Sequence, residues 1–109
     1  MRLTVSFSLA AVLGLSIAAA GHAQEAILHG KATFESKCAL CHNADSVDTK
    51  IGPGLKGLYT HGTLKDGTTK VSDESVTDRI VNGKVPMPPF KDQLSATEIQ
   101  ELVAYLKTL

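Results

Sequence analysis

Two cysteines three positions apart with a histidine directly after the second, Cys38-Ala39-Leu40-Cys41-His42, constrain this chain more than any other feature in it. On a helical turn, positions i and i+3 share a side and i+4 projects from the same face. Cys38 and Cys41 can therefore reach the two vinyl groups along one edge of a porphyrin, while His42 places a ring nitrogen on its iron. A Cys-x-x-Cys pair alone is a weak signal, because zinc sites and dithiol redox sites use the same spacing. The adjoining histidine gives it the form used for covalent attachment of a c-type haem. A structural zinc takes four ligands, and the sequence holds only these two cysteines, with His22, His29 and His61 scattered singly. A dithiol reading needs a βαβ context that is hard to find here.

The start of the chain bears on the fate of those thiols. Residues 1–23 read as an export signal: Arg2, an apolar run from Leu3 to Ala20, then Gly21-His22-Ala23 with small residues at the cleavage positions. The run is nearly long enough to span a bilayer as an uncleaved anchor. Ser6, Ser8, Gly14 and Ser16 within it, together with the cleavage-like end, favour removal. The expected mature chain starts at Gln24, lies in the periplasm and makes no stable membrane insertion. An oxidising compartment turns free cysteines into a disulfide, whereas thioether bonds to haem consume both thiols.

Residues 24–109 make one small domain. A domain of this size buries a thin core and is commonly completed by a disulfide, metal or cofactor. A buried porphyrin supplies the missing apolar mass. The 11 basic and 11 acidic residues balance, with no basic tract, so there is no electrostatic footprint for nucleic acid. The sequence holds no internal repeat and no phosphate-cradling glycine loop.

Periodicity places three helices. The first is expected over about Glu25–His42, where Ile27, Gly30, Phe34, Cys38 and Cys41 form one stripe that runs into the attachment motif. Gly30 costs such a helix about 1 kcal/mol against alanine, which points to another backbone crossing closely there. From Asn43 to Gly57 the pattern lapses into turn chemistry, with Ile51-Gly52-Pro53-Gly54-Leu55 at its centre. Such a loop can wrap the proximal edge of a haem and offer a carbonyl to the second N–H of His42, fixing its tautomer. Asp66-Gly67 flanked by threonines and aliphatics signals a possible short β-hairpin near residues 63–71. A second helix follows, capped by Ser72, burying Val76 and Ile80 and stopping at Gly83. The last helix carries a capping box at Ser95 and Glu98 and a core stripe of Ile99, Leu102, Val103 and Leu106.

Between the second and third helices lies Lys84-Val85-Pro86-Met87-Pro88-Pro89-Phe90. Prolines at this density exclude regular structure. Met87 in isolation reads as core filler. Opposite a haem that has His42 on its other side, a methionine held on a stiff proline-braced loop reads as the second axial ligand.

Taken together these residues resemble the class I cytochromes c, small soluble monohaem electron carriers, over essentially all of residues 24–109. The resemblance rests on Gly30 and Phe34 ahead of the Cys38–His42 motif, Gly52-Pro53-Gly54-Leu55-Lys56-Gly57-Leu58, Met87 in its proline loop, and Leu102-Val103-Ala104-Tyr105-Leu106-Lys107. It implies an all-α cytochrome c fold, three to four helices with loops wrapped around one covalently bound haem. It implies that the terminal helices cross near Gly30 against Phe34, Leu102 and Tyr105, that the Pro53 carbonyl receives the His42 N–H, and that His42 and Met87 ligate the iron. Two departures stand out: the chain has no tryptophan, and His61 stands where the pattern leads to an arginine.

The implied function is single-electron transfer rather than enzymatic catalysis. A neutral imidazole and thioether leave no open iron position and favour the ferrous state. The expected partners are redox proteins that dock briefly at the haem edge, as small transient interfaces do, with the carrier itself a monomer. The alternatives are a subunit dedicated to one oxidoreductase complex, and a haem peroxidase or gas-binding protein with a labile methionine ligand.

Overall fold

The computed structural model describes residues 10–109, with side chains from Ala18 onward. Three α-helices account for its regular structure: α1 (Ala10–Lys37), α2 (Asp73–Asn82) and α3 (Ala96–Leu106), with a single 3-10 turn at Leu58–Thr60. No strand forms among the described residues. The architecture is therefore all-α, as the periodicity implied.

The helix α1 departs from its expected bounds at both ends. It begins at Ala10 rather than near Glu25 and runs through the segment read as an export signal, of which residues 1–9 lie outside the described residues. The run is rich in alanine and leucine and contains no proline, so helix continues through it despite Gly14 and Gly21. From Ala18 to Glu25 every side chain is exposed, and inward packing begins only at Ala26 and Ile27. At the other end the helix stops at Lys37 instead of His42, because the Ala39 N–H bonds the Phe34 carbonyl five residues back (2.9 Å) in place of the usual four. The attachment motif follows as a separate turn, closed by Cys41 N–H to Cys38 O and His42 N–H to Cys38 O, both at 3.0 Å.

Helices α1 and α3 pack against each other at Gly30. A methyl group there would overlap the Glu101 carbonyl oxygen and come within 2.9 Å of Tyr105 Cβ, so the absent side chain lets the two backbones approach. Around this crossing Phe34 and Leu102 are almost wholly buried, and the rings of Phe34 and Tyr105 meet with centroids 5.5 Å apart at 55°. Burying side chains of this size contributes roughly 1.5–3 kcal/mol each, and the tilted aromatic pair about 0.5–1.5 kcal/mol more. The neighbouring hydrogen bond between His29 Nδ1 and Glu101 Oε1, at 3.2 Å, is exposed on the histidine side and adds little.

Capping chemistry fixes the two shorter helices. At α3 the Ser95 hydroxyl accepts the Glu98 N–H (3.1 Å) and Glu98 Oε2 accepts the Ser95 N–H (2.7 Å). Leu94 and Ile99, on either side of that cap, are both buried. At α2 Ser72 has the same arrangement with Ser75 as the reciprocal partner, and Asp73 and Glu74 sit favourably at the positive end. Val76 and Ile80 face the core, and Gly83 ends the helix with φ 66° and its N–H on Arg79 O. The segment 63–71 reduces to one antiparallel bridge, Thr63 with Lys70. Asp66 takes the N–H groups of both Thr68 and Thr69, and these donors are then not available to a longer ladder.

The glycine at the crossing yields a test in which two effects oppose each other. By helix propensity Gly30→Ala gains up to about 1 kcal/mol. Overlap with a fixed backbone carbonyl is expected to outweigh this, for a net loss of roughly 1–3 kcal/mol. Denaturant unfolding of the haem-loaded protein measures it, and a midpoint at or above wild type would show that no close crossing exists.

Candidate haem-binding site

The turn that closes after α1 brings three chemical groups together. Both thiols are free of any disulfide and half-buried. Burial, and after it the neighbouring charge of Cys41, push the Cys38 thiol up to about 11. This is opposite to the lowered thiol that marks a redox-active Cys-x-x-Cys pair. Among the described residues no three His, Cys, Asp or Glu side chains converge on a common point, so the pair lacks the further donors that a zinc site requires.

His42 is positioned by the loop that follows. Gly52 N–H bonds Cys41 O (2.7 Å) and Leu55 N–H bonds Asn43 O (2.8 Å), which lays the 52–55 segment along the turn. Lys50 Nζ caps the Ala39 carbonyl at 2.9 Å, and Asn43 Nδ2 donates to Asp48 O. Held in this way, the Pro53 carbonyl stands 2.8 Å from His42 Nδ1. A carbonyl can only accept, so Nδ1 carries the proton and Nε2 keeps its lone pair for a metal.

Sequence reasoning missed the part played by Gly52, which it took for turn chemistry. A Cβ at this position would lie 2.5 Å from His42 Cε1 and 2.9 Å from Nδ1. The glycine is there for space, as its φ is not positive. Its placement directly before the residue that supplies the carbonyl was the available signal.

Met87 stands on a separate turn between α2 and α3. Lys84 and Met87 exchange both backbone hydrogen bonds (3.1 and 2.8 Å) and so close a turn, with a cis peptide between Val85 and Pro86 inside it. The turn folds back over the end of α2: a Cβ on Gly83 would lie 2.6 Å from Met87 O. Beyond it, Phe90 is buried and its N–H bonds Ile80 O at 3.0 Å. The Met87 side chain is partly buried and packs on the same core cluster as Cys38. His61 is exposed, with Nε2–H donating to Lys56 O at 2.9 Å, so its ring braces its own loop.

Two uncommitted thiols, an imidazole whose free nitrogen is fixed by a hydrogen bond on the other, and a glycine that clears room for that ring fit a covalent c-type haem. Together with the α1–α3 crossing they define a small c-type cytochrome. Residues 25–106 match the family described as cytochrome C oxidase, cbb3-type, subunit III, and the chain belongs to this family. It is also similar to several proteins named cytochrome c6. That of Synechocystis sp. is 32% identical over 84 residues, covering 73% of this chain and 62% of the relative, less than two thirds of that protein's length. That of Bryopsis maxima is 35% identical over 79 residues, 71% of this chain and 84% of the relative. The chloroplastic protein of Chlamydomonas reinhardtii is 31% identical over 104 residues, 95% of this chain and 68% of the relative. The cofactor of such a protein is one covalent haem c.

If Gly52 clears the imidazole, Gly52→Ala should displace the ring at a cost of about 1–3 kcal/mol and loosen the proximal bond. Absorption spectra of the haem-loaded variant should then show a high-spin fraction that the wild type lacks. A spectrum identical to wild type would mean that the ring tolerates the methyl group.

Proposed function

We propose that this chain is an exported single-electron carrier in which Cys38 and Cys41 hold the haem, His42 and Met87 ligate its iron, and Pro53 orients His42. The observation that carries the reading is the Nδ1–H bond from His42 to the Pro53 carbonyl, made inside the same turn that presents two free thiols. The haem supplies a one-electron iron couple when bound. The chain's part is to set its surroundings. Pro53 raises the basicity of His42 and fixes its tautomer; the Lys84–Met87 turn presents a weak neutral thioether that only a braced loop can hold; and the α1–α3 crossing holds the helix that ends in the attachment motif.

The proposed domain division is 1–23 as a removed signal and 24–109 as the carrier, in the periplasm. In support, the family match begins at residue 25 and the side chains from Ala18 to Glu25 stand clear of the core. No described helix is long and apolar enough to cross a membrane. The proposed partners are redox proteins met transiently by a monomer. The description of the matched family, an oxidase subunit, supports a second arrangement in which the same chemistry is held within one oxidoreductase complex. Co-purification of the untagged chain from its own membranes with a stoichiometric partner would favour that arrangement, and recovery in the soluble fraction the free carrier.

The reading carries two expected outcomes. Met87→Ala should convert a protein that ignores carbon monoxide into one that binds it stoichiometrically in the ferrous state, with a lowered potential. A variant that stays six-coordinate and low-spin would remove Met87 from the ligand set, and a wild type that takes up the gas would favour a gas-binding protein. Separately, Cys38→Ser or Cys41→Ser should cripple attachment and leave the haem-free chain largely unfolded. Full helicity with a cooperative melt in the haem-free chain would show that the core stands without its cofactor.

A further inference from the structure

Asp66 lies outside the attachment turn and its loop, yet it is the most heavily bonded carboxylate in the described structure. Its Oδ1 accepts the N–H of Thr68 (3.0 Å) and of Thr69 (2.8 Å). Its Oδ2 accepts Thr69 Oγ1 (2.7 Å) and Arg79 Nη2 (2.9 Å), with Lys84 Nζ at 3.8 Å. The Asp66 side chain is 14% exposed and that of Arg79 25%. The donors, led by the Thr69 N–H, hold this carboxyl well below the usual carboxylate range, so it stays ionised at any working pH.

The two threonines alone would account for an aspartate in a turn. The cations add a connection between elements. Arg79 lies in the last turn of α2, its own carbonyl takes the Gly83 N–H that ends the helix, and Lys84 opens the turn that carries Met87. The far side of that turn is held independently, by Phe90 N–H on Ile80 O and by the burial of the Phe90 ring. On the near side, the bond that reaches outside α2 and the Met87 turn is the one to Asp66.

We propose that Asp66 and Arg79 form a brace that positions Met87, by tying the 63–71 loop to the end of α2 from which the Met87 turn departs. They are positioning residues and touch neither ligand. The inference rests on the reading of Met87 as the sixth ligand. A thioether has little affinity of its own for iron, so its hold depends on how far the loop restrains it. A charge-assisted bond between partly desolvated groups restrains more than a surface pair does. Lys84, mostly exposed and 3.8 Å away, contributes less.

The test uses the full haem-loaded chain in the ferric state, titrated with imidazole, which competes with Met87 for the iron. Asp66→Asn keeps an acceptor for the threonines and loses the ion pair; Arg79→Met keeps the aliphatic stem. Each should bind imidazole roughly three- to tenfold more tightly than wild type, a modest share of what a charge-assisted hydrogen bond can contribute. The double variant should go no further than the singles, because both remove one interaction. The two substitutions change the local charge in opposite directions, so a purely electrostatic effect on the iron would move them apart. Imidazole affinities equal to wild type, opposite shifts, or additive shifts in the double variant would overturn the brace. If wild type and Met87→Ala bind imidazole equally, the ligand reading itself fails and the brace falls with it. Equal shifts of the singles with Met87→Ala binding most tightly of all would uphold both.

Discussion

The hydrogen bond from His42 Nδ1 to the Pro53 carbonyl is the contact on which the rest of the site depends. Without it the imidazole can rotate and exchange tautomers, and which nitrogen keeps a free lone pair is not defined. That bond needs a carbonyl at 2.8 Å, a loop folded back along the turn by two backbone bonds, and a residue without a side chain at position 52. The segment from Asn43 to Leu55 can thus be understood as scaffolding for one ring. Its apolar members Val47 and Ile51 are largely exposed, whereas Ala44 and Leu55 near its two ends pack on the core and anchor it.

A frame of two helices fixes where that turn sits. Helix α1 delivers the motif at its C-terminal end, and α3 clamps α1 one turn and more upstream through Gly30, Phe34, Leu102 and Tyr105. Close packing transmits position along a stiff helix, so the crossing aims the thiols. The surroundings of Met87 are built differently. Met87 sits on a turn between α2 and α3 whose geometry comes from backbone bonds, prolines and the neighbouring Gly83. The His42 tautomer is set by one hydrogen bond and the position of Met87 by a restrained turn, and the chain supplies each with a separate structure.

Much of this was legible in the sequence because it rests on local chemistry. The capping box at Ser95 and Glu98, the stop at Gly83, the stripe on α3 and the close approach at Gly30 each follow from residue type and spacing. That the loop offers a carbonyl to His42 was legible in its turn chemistry, whereas its assignment to Pro53 came from the resemblance and needed the loop's actual path to become visible. The length of α1 was misjudged at both ends: high helix propensity carries it back through the presumed signal to Ala10, and a backbone bond over five residues ends it before Cys38 rather than after His42. The expected hairpin shrank to one bridge because Asp66 took the donors. Gly52 against the imidazole and Asp66 against Arg79 join residues far apart in the chain, and no periodicity reports such pairings.

The central claim is that both thiols of the Cys38–His42 turn are joined to haem by bonds that survive unfolding. Mass spectrometry of the exported protein under fully denaturing conditions tests it most directly. The expected result is a single species with the mass of residues 24–109 plus one haem, without alkylation by a thiol reagent. A chain that releases its haem on denaturation, or that takes up two equivalents of the reagent, would contradict it.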